Sequence, residues 1–203
     1  WCSPYLTVIA AEVGKAIPDR VPLPVVYAGY RIPTFGTDGC DAGEVAVDLL
    51  GSGRASRLYR ALVREQQVAQ DVSTFAFPVI GGAALFTMWA TARPDVTPET
   101  LEAALLAEVD RLTGEGPSDT ELERVRNLHA ASVESSLERV GERADRISMY
   151  ACLFDEPERI NAEVSRYLAV DAARVREAMS VSLRADNRVL LTYLPTESPE
   201  APA

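Results

Sequence analysis

Two β-type runs, DVSTFAFPVI (71–80) and ALFTMWATARP (84–94), lie on either side of the pair Gly81-Gly82. Runs rich in β-branched and aromatic residues joined by two glycines read as a β-hairpin. A lone hairpin cannot bury enough apolar surface to be stable in water, so the rest of the chain must cover it. The material available is mostly helical. Before the hairpin, RVPLPVVYAGYRIPTF (20–35) reads as a strand with prolines near its ends. GTDGCDAG (36–43) then supplies turn chemistry and acidic residues that suit the positive end of a helix. From about Glu44, Val45, Leu49 and Leu50 share a helical face, and after the GSG interruption at 51–53 the helix resumes through Leu58, Tyr59, Leu62 and Val63.

Beyond the hairpin, Thr97 and Pro98 mark an N-cap and first helical position for TPETLEAALLAEVDRLTGEG. Ser118 and Glu121 form a capping-box pattern opening a long helical region to about Leu153. FDEPERIN breaks it, NAEVSRYLAVDAARVREAMSVSL is helical again, and DNRVLLTYLP closes the chain as a strand. The order β-α-β-β-α-α-α-β predicts an α+β fold: an antiparallel-dominated sheet with helices packed on one face. Residues 1–20 read as a connector from a missing upstream unit, 21–195 as one α+β unit and 196–203 as a tail.

A formal net charge of -10 argues against nucleic acid and anionic membranes as partners. Lys15 is the only lysine, a skew that a GC-rich genome accounts for. The cysteines (Cys2, Cys40, Cys152) are odd in number and form no CxxC, which points to a reducing, cytoplasmic setting. No apolar run reaches the ~18 residues of a membrane-spanning helix.

No complete catalytic constellation emerges. GSGRASR (51–57) lacks the Lys and the spacing of a phosphate loop. His129, the single histidine, sits in a helical stretch without a second His or Cys, so helix packing or a surface position is its expected role. Asp38, Asp41, Glu44 and Asp48 do not follow a calcium-loop spacing and read instead as an acidic helix start. ELERVRN and ERVGERADR alternate charge as a solvated helix face does.

SRLYRALVREQQVAQDVS (56–73), set in this element order, resembles the insulinase/pitrilysin-like zinc metallopeptidases, which include the mitochondrial processing peptidases. The resemblance runs from RVPLPVVYAGYRIPTF to the last strand. It implies two similar α+β units per half, with two halves closing around an extended peptide. Zinc in that family sits on H-x-x-E-H plus a distal Glu in the amino-terminal unit. This chain has one histidine and lacks the motif, so the resemblance implies a carboxy-terminal unit with no metal or catalytic residue of its own. Zinc is then expected in the parent protein or a partner. The expected partners are a peptide substrate, the amino-terminal unit and a second subunit in a homo- or hetero-dimer.

Active members also hold substrate with an Arg and a Tyr seven residues apart in this type of unit. Here Arg64 matches, as a substrate-binding residue, while Asp71 stands where the Tyr is expected. A carboxylate accepts rather than donates, so it opposes a developing oxyanion. Either a partner supplies the pair, or the protein is a non-catalytic homologue acting as a scaffold for an active peptidase. A structural use of Arg64, paired with Asp71 or with neighbours of Glu65, is the remaining alternative.

Overall fold

A computed structural model describes residues 13–77, 79 and 84–196. Five strands, β1 (Val13–Asp19), β2 (Val25–Ile32), β3 (Ala69–Phe77), β4 (Ala84–Ala92) and β5 (Arg188–Pro195), form one sheet in the order β1-β5-β2-β4-β3. Pairings β2–β4, β2–β5 and β3–β4 are antiparallel, and β1–β5 is parallel. The helices are α1 (Asp38–Gly51), α2 (Pro98–Glu115), α3 (Asp119–Leu137), α4 (Val140–Phe154), α5 (Glu163–Leu168) and α6 (Ala172–Ser182), with a π-helical segment at Tyr59–Glu65.

Strand alternation decides which face they cover. In β4, Ala84, Phe86, Met88, Ala90 and Ala92 are buried while Leu85, Thr87, Trp89 and Thr91 are not. In β2 the buried set is Val26, Ala28, Tyr30 and Ile32. Successive residues point to opposite faces, so these two sets define one covered side. Leu101, Leu105, Val109 and Leu112 of α2 meet it at helical spacing and join the same core cluster.

The hairpin strands, the capping box at Ser118 and the closing strand all form. Three features depart from the sequence expectations. First, the stretch read as a connector contains β1, which adds a strand beside β5. Second, α1 begins at Asp38, six residues before the expected start at Glu44. Third, the long helical region divides at Arg139, whose backbone is extended, and the later one divides between α5 and α6 at Ala169–Asp171. The Gly81-Gly82 turn, residues 1–12 and residues 197–203 lie outside the described residues.

The GSG interruption has a packing cause. A Cβ on Gly51 would lie 2.0 Å from Thr74 Oγ1, so only glycine lets the end of α1 touch β3. Thr74 Oγ1 donates to the Val47 carbonyl at 3.3 Å across that junction. Past it, Arg57 is 7% exposed and clamps the next turn of the chain. Its Nε and Nη2 donate to the two Glu121 carboxylate oxygens, each at 2.8 Å, and Nη2 also donates to the Gly116 carbonyl at 2.8 Å. Burial pushes the Glu121 carboxyl up, but hydrogen bonds from Arg57 and Ser118 outweigh it and hold the group at about 2.

Two outcomes follow from these junctions. Gly51→Ala gains up to ~1 kcal/mol of helix propensity, yet the overlap with Thr74 costs roughly 1–3 kcal/mol as overpacking does, so chemical denaturation should show a net loss of stability. Arg57→Met should cost roughly 1.5–3 kcal/mol at neutral pH, because the part-buried Glu121 carboxylate then keeps only the Ser118 donors and Arg60 at 4.0 Å. Because the Glu121 pKa is depressed in the fold, its contribution is present above about 4.5 and is lost as pH falls toward about 2. The wild-type advantage measured by urea titration should narrow across that window, and a constant gap would contradict the ion-pair account.

Candidate substrate-contacting surface and acidic cleft

Arg64 lies in the last turn of the π-helical segment, whose ladder is marked by Gln66 N–H bonding the Ala61 carbonyl five residues back. Ala61 and Leu62 anchor the segment in the core, which turns Arg64 outward. Gln67 then takes a left-handed φ of 55° and Val68 N–H bonds Leu62 O at 2.9 Å, so the chain reverses directly into β3. The Arg64 side chain is exposed, and it makes no hydrogen bond or ion pair among the described residues. The suggested pairing with Asp71 does not form, and Glu65 instead meets Arg60 at 3.7 Å.

Asp71 owes its placement to a bulge. Ala69 opposes Ala92 on the covered face, the register shifts by one residue, and Asp71 opposes Thr91. The extra residue, Gln70, turns Asp71 from the covered side to the open side of the sheet. Ser73, Phe75 and Phe77 follow on that side, opposite Trp89, Thr87 and Leu85.

The open face is rich in aromatic and aliphatic groups. Tyr27 stacks on Trp89 with centroids 5.9 Å apart and meets Tyr193 edge-on at 5.5 Å. Phe75 and Phe77 are 51% and 57% exposed, enough to leave most of each ring in solvent. Exposed apolar patches of this kind mark interaction surfaces. The sequence carried a period-two signal at Phe75 and Phe77 of β3, but not which face would lack a helical cover.

On the covered side, Cys40, Glu44, Val47 and Asp48 of α1, Thr74–Ala76 of β3 and His129 of α3 line a cleft of about 330 Å³. Glu44 and Asp48 are one helical turn apart, so both carboxylates reach the same cleft. Burial, with Asp41 beside it, pushes Glu44 up to about 7. Burial and Glu44 together push the Cys40 thiol up to about 12, and its Sγ donates to Glu44 Oε1 at 3.7 Å. Tyr167 O–H donates to Asp48 Oδ2 at 2.7 Å, and burial raises that phenol further still. His129 stacks flat on Tyr167 at 3.6 Å, and burial lowers its pKa, which favours the neutral ring. The packing role expected of His129 is the one observed.

These groups do not fit zinc. Among the described residues no three His, Cys, Asp or Glu side chains are placed to hold a metal ion. Of the acidic residues of α1, Asp41 meets Arg166 at 3.8 Å and Asp48 accepts from Tyr167. The Asp38 side chain lies outside the described residues.

Comparison with known proteins follows the same lines. The family model described as the peptidase M16 inactive domain matches residues 4–128. A comparison with curated proteins finds no sequence match. Among solved structures, a protease from Helicobacter pylori superposes with a TM-score of 0.85 at 18% identity, over 93% of this chain and 45% of that one. An inactive peptidase domain from Bordetella parapertussis gives 0.79 at 23% identity, over 91% and 97%. The periplasmic protease PqqL from Escherichia coli gives 0.72 at 16%, over 92% and 21%. The chain thus spans less than half the length of the Helicobacter protein and about a fifth of PqqL. Among the described residues no helix is long and apolar enough to cross a membrane.

The Glu44 environment sets a measurable pH effect. A carboxyl whose pKa rises from 4.5 to about 7 on folding costs stability as pH climbs through that interval, because the folded state must then bury a charge. Glu44→Gln removes the cost, so it should raise the melting temperature more at pH 8 than at pH 5. An equal shift at both values would contradict the burial of Glu44.

Proposed function

The chain belongs to the peptidase M16 inactive-domain family, and from that membership we propose that it forms one wall of the peptide-binding space of a zinc-dependent peptidase. The metal and the hydrolytic step belong to a separate amino-terminal unit. There, metal-activated water would attack the scissile carbonyl. This chain's part is to bind and orient. Arg64 carries the reading: an exposed guanidinium with no ion pair among the described residues is a donor available to a peptide carbonyl. It stands before β3, whose outer-face residues Phe75 and Phe77 add apolar contact area for an extended chain.

Asp71 alters this picture. On the open side of the sheet it presents an acceptor where the resemblance places a phenol, so the oxyanion gains no second donor from this unit. A scaffold role beside an active subunit, in a homo- or hetero-dimer, is the second reading that this residue favours. The two free cysteines among the described residues, Cys40 and Cys152, support a reducing, cytoplasmic location.

The test uses the full-length polypeptide that carries this unit. Arg64→Ala should lower kcat/KM for an unstructured peptide by about 10-fold to 100-fold, the range for one lost charged hydrogen bond, with zinc content unchanged. Asp71→Tyr should raise it. Hydrolysis insensitive to Arg64→Ala would remove the substrate-holding role, and a polypeptide with neither zinc nor hydrolysis would establish the scaffold.

A further inference from the structure

The cleft under β3 is not used by the function just described, since it opens on the helix-covered side of the sheet and Arg64 and Asp71 do not line it. Three observations bear on what it could take. Glu44 and Asp48 both face it, and neither has an ion-pair partner among the described residues. The arginines nearby are held by other groups: Arg166 meets Asp41 at 3.8 Å, Arg146 meets Glu163, and Arg124 donates to the Ser52 carbonyl at the cleft edge at 3.0 Å. His129 also lines it, and its Nε2 is buried without a hydrogen-bond partner. Two part-buried carboxylates with a single thiol and a single phenol between them as hydrogen-bond donors are poorly compensated.

We propose that this cleft is a binding site for a guanidinium group, with Glu44 and Asp48 as its acceptors. A planar five-donor head matches two carboxylates one helical turn apart, and it is less strongly hydrated than an ammonium, so it enters a part-buried site at lower cost. A metal ion is the poorer fit, because no three ligands converge among the described residues. The remaining walls suit the stem and face of such a side chain. Val47 and Ala76 are apolar, and Thr74 of β3 closes the wall beside them. A volume of about 330 Å³ admits one arginine-sized group.

The same chemistry occurs in a free guanidine and in an arginine of a polypeptide, so the test has two arms. Agmatine and a blocked Gly-Arg-Gly peptide are titrated into the intact chain by calorimetry, with a citrulline peptide as the uncharged control. Binding of either guanidinium probe, at least 10-fold weakened by Glu44→Gln and by Asp48→Asn, supports the site. Preference for agmatine identifies a small-molecule ligand, and preference for the peptide identifies a polypeptide one. The Glu44→Gln variant is expected to fold, since that substitution removes a cost. No binding of either probe, equal binding of citrulline, or binding unchanged in the double variant would overturn the proposal. None of these outcomes depends on zinc or hydrolysis.

Discussion

The Arg57 clamp is the interaction on which the placement of everything else rests. One guanidinium, almost wholly buried, joins the turn after α1 to the α2–α3 junction through Glu121 and the Gly116 carbonyl. Those two pieces are far apart in sequence, and a buried ion pair with this geometry tolerates little displacement. The π-helical segment starts two residues later, so its orientation, and with it the outward direction of Arg64, is inherited from the clamp. Glu121 serves twice, since the same carboxylate closes the capping box on Ser118. Removing it would free both a helix start and a buried cation.

The sheet adds a second constraint, which is its asymmetry. All the helices that contribute to the core cluster pack on one face, and strand alternation then forces the other side chains outward. The result on the open side is an aromatic group built around Tyr27, Trp89 and Tyr193, contributed by three neighbouring strands. The β-bulge at Gln70 brings Asp71 to that same side. A single inserted residue therefore decides whether a carboxylate faces the helices or the surface that the proposed peptide would meet.

Legibility differed between these parts for physical reasons. The hairpin strands, the caps at Thr97 and Ser118 and the closing strand depend on local periodicity and short-range hydrogen bonds, and they could be read from neighbouring residues. The first strand could not, because β1 is stabilised by parallel pairing with β5 at the far end of the chain. Its own residues, VGKAIPD, carry weak alternation. The acidic residues of α1 read as helix-start chemistry, which holds for Asp41 in the first turn. Glu44 and Asp48 belong to a different environment, created when β3 and α3 close over the middle of the helix.

Residue identity alone settled a single histidine with no H-x-x-E-H, a net charge of -10, an α+β order of elements and an SRLY-containing stretch inside the residues that the family model matches. These follow from composition and from patterns spanning a few helical turns or one strand. Tertiary structure decided the rest: that Arg64 is exposed while Arg57 is buried, that Asp71 faces outward, and that two carboxylates share a cleft with a stacked histidine. Burial, register and the pairing of charges are set by contacts between segments distant in sequence, and no local pattern encodes which of two similar arginines will meet its carboxylate.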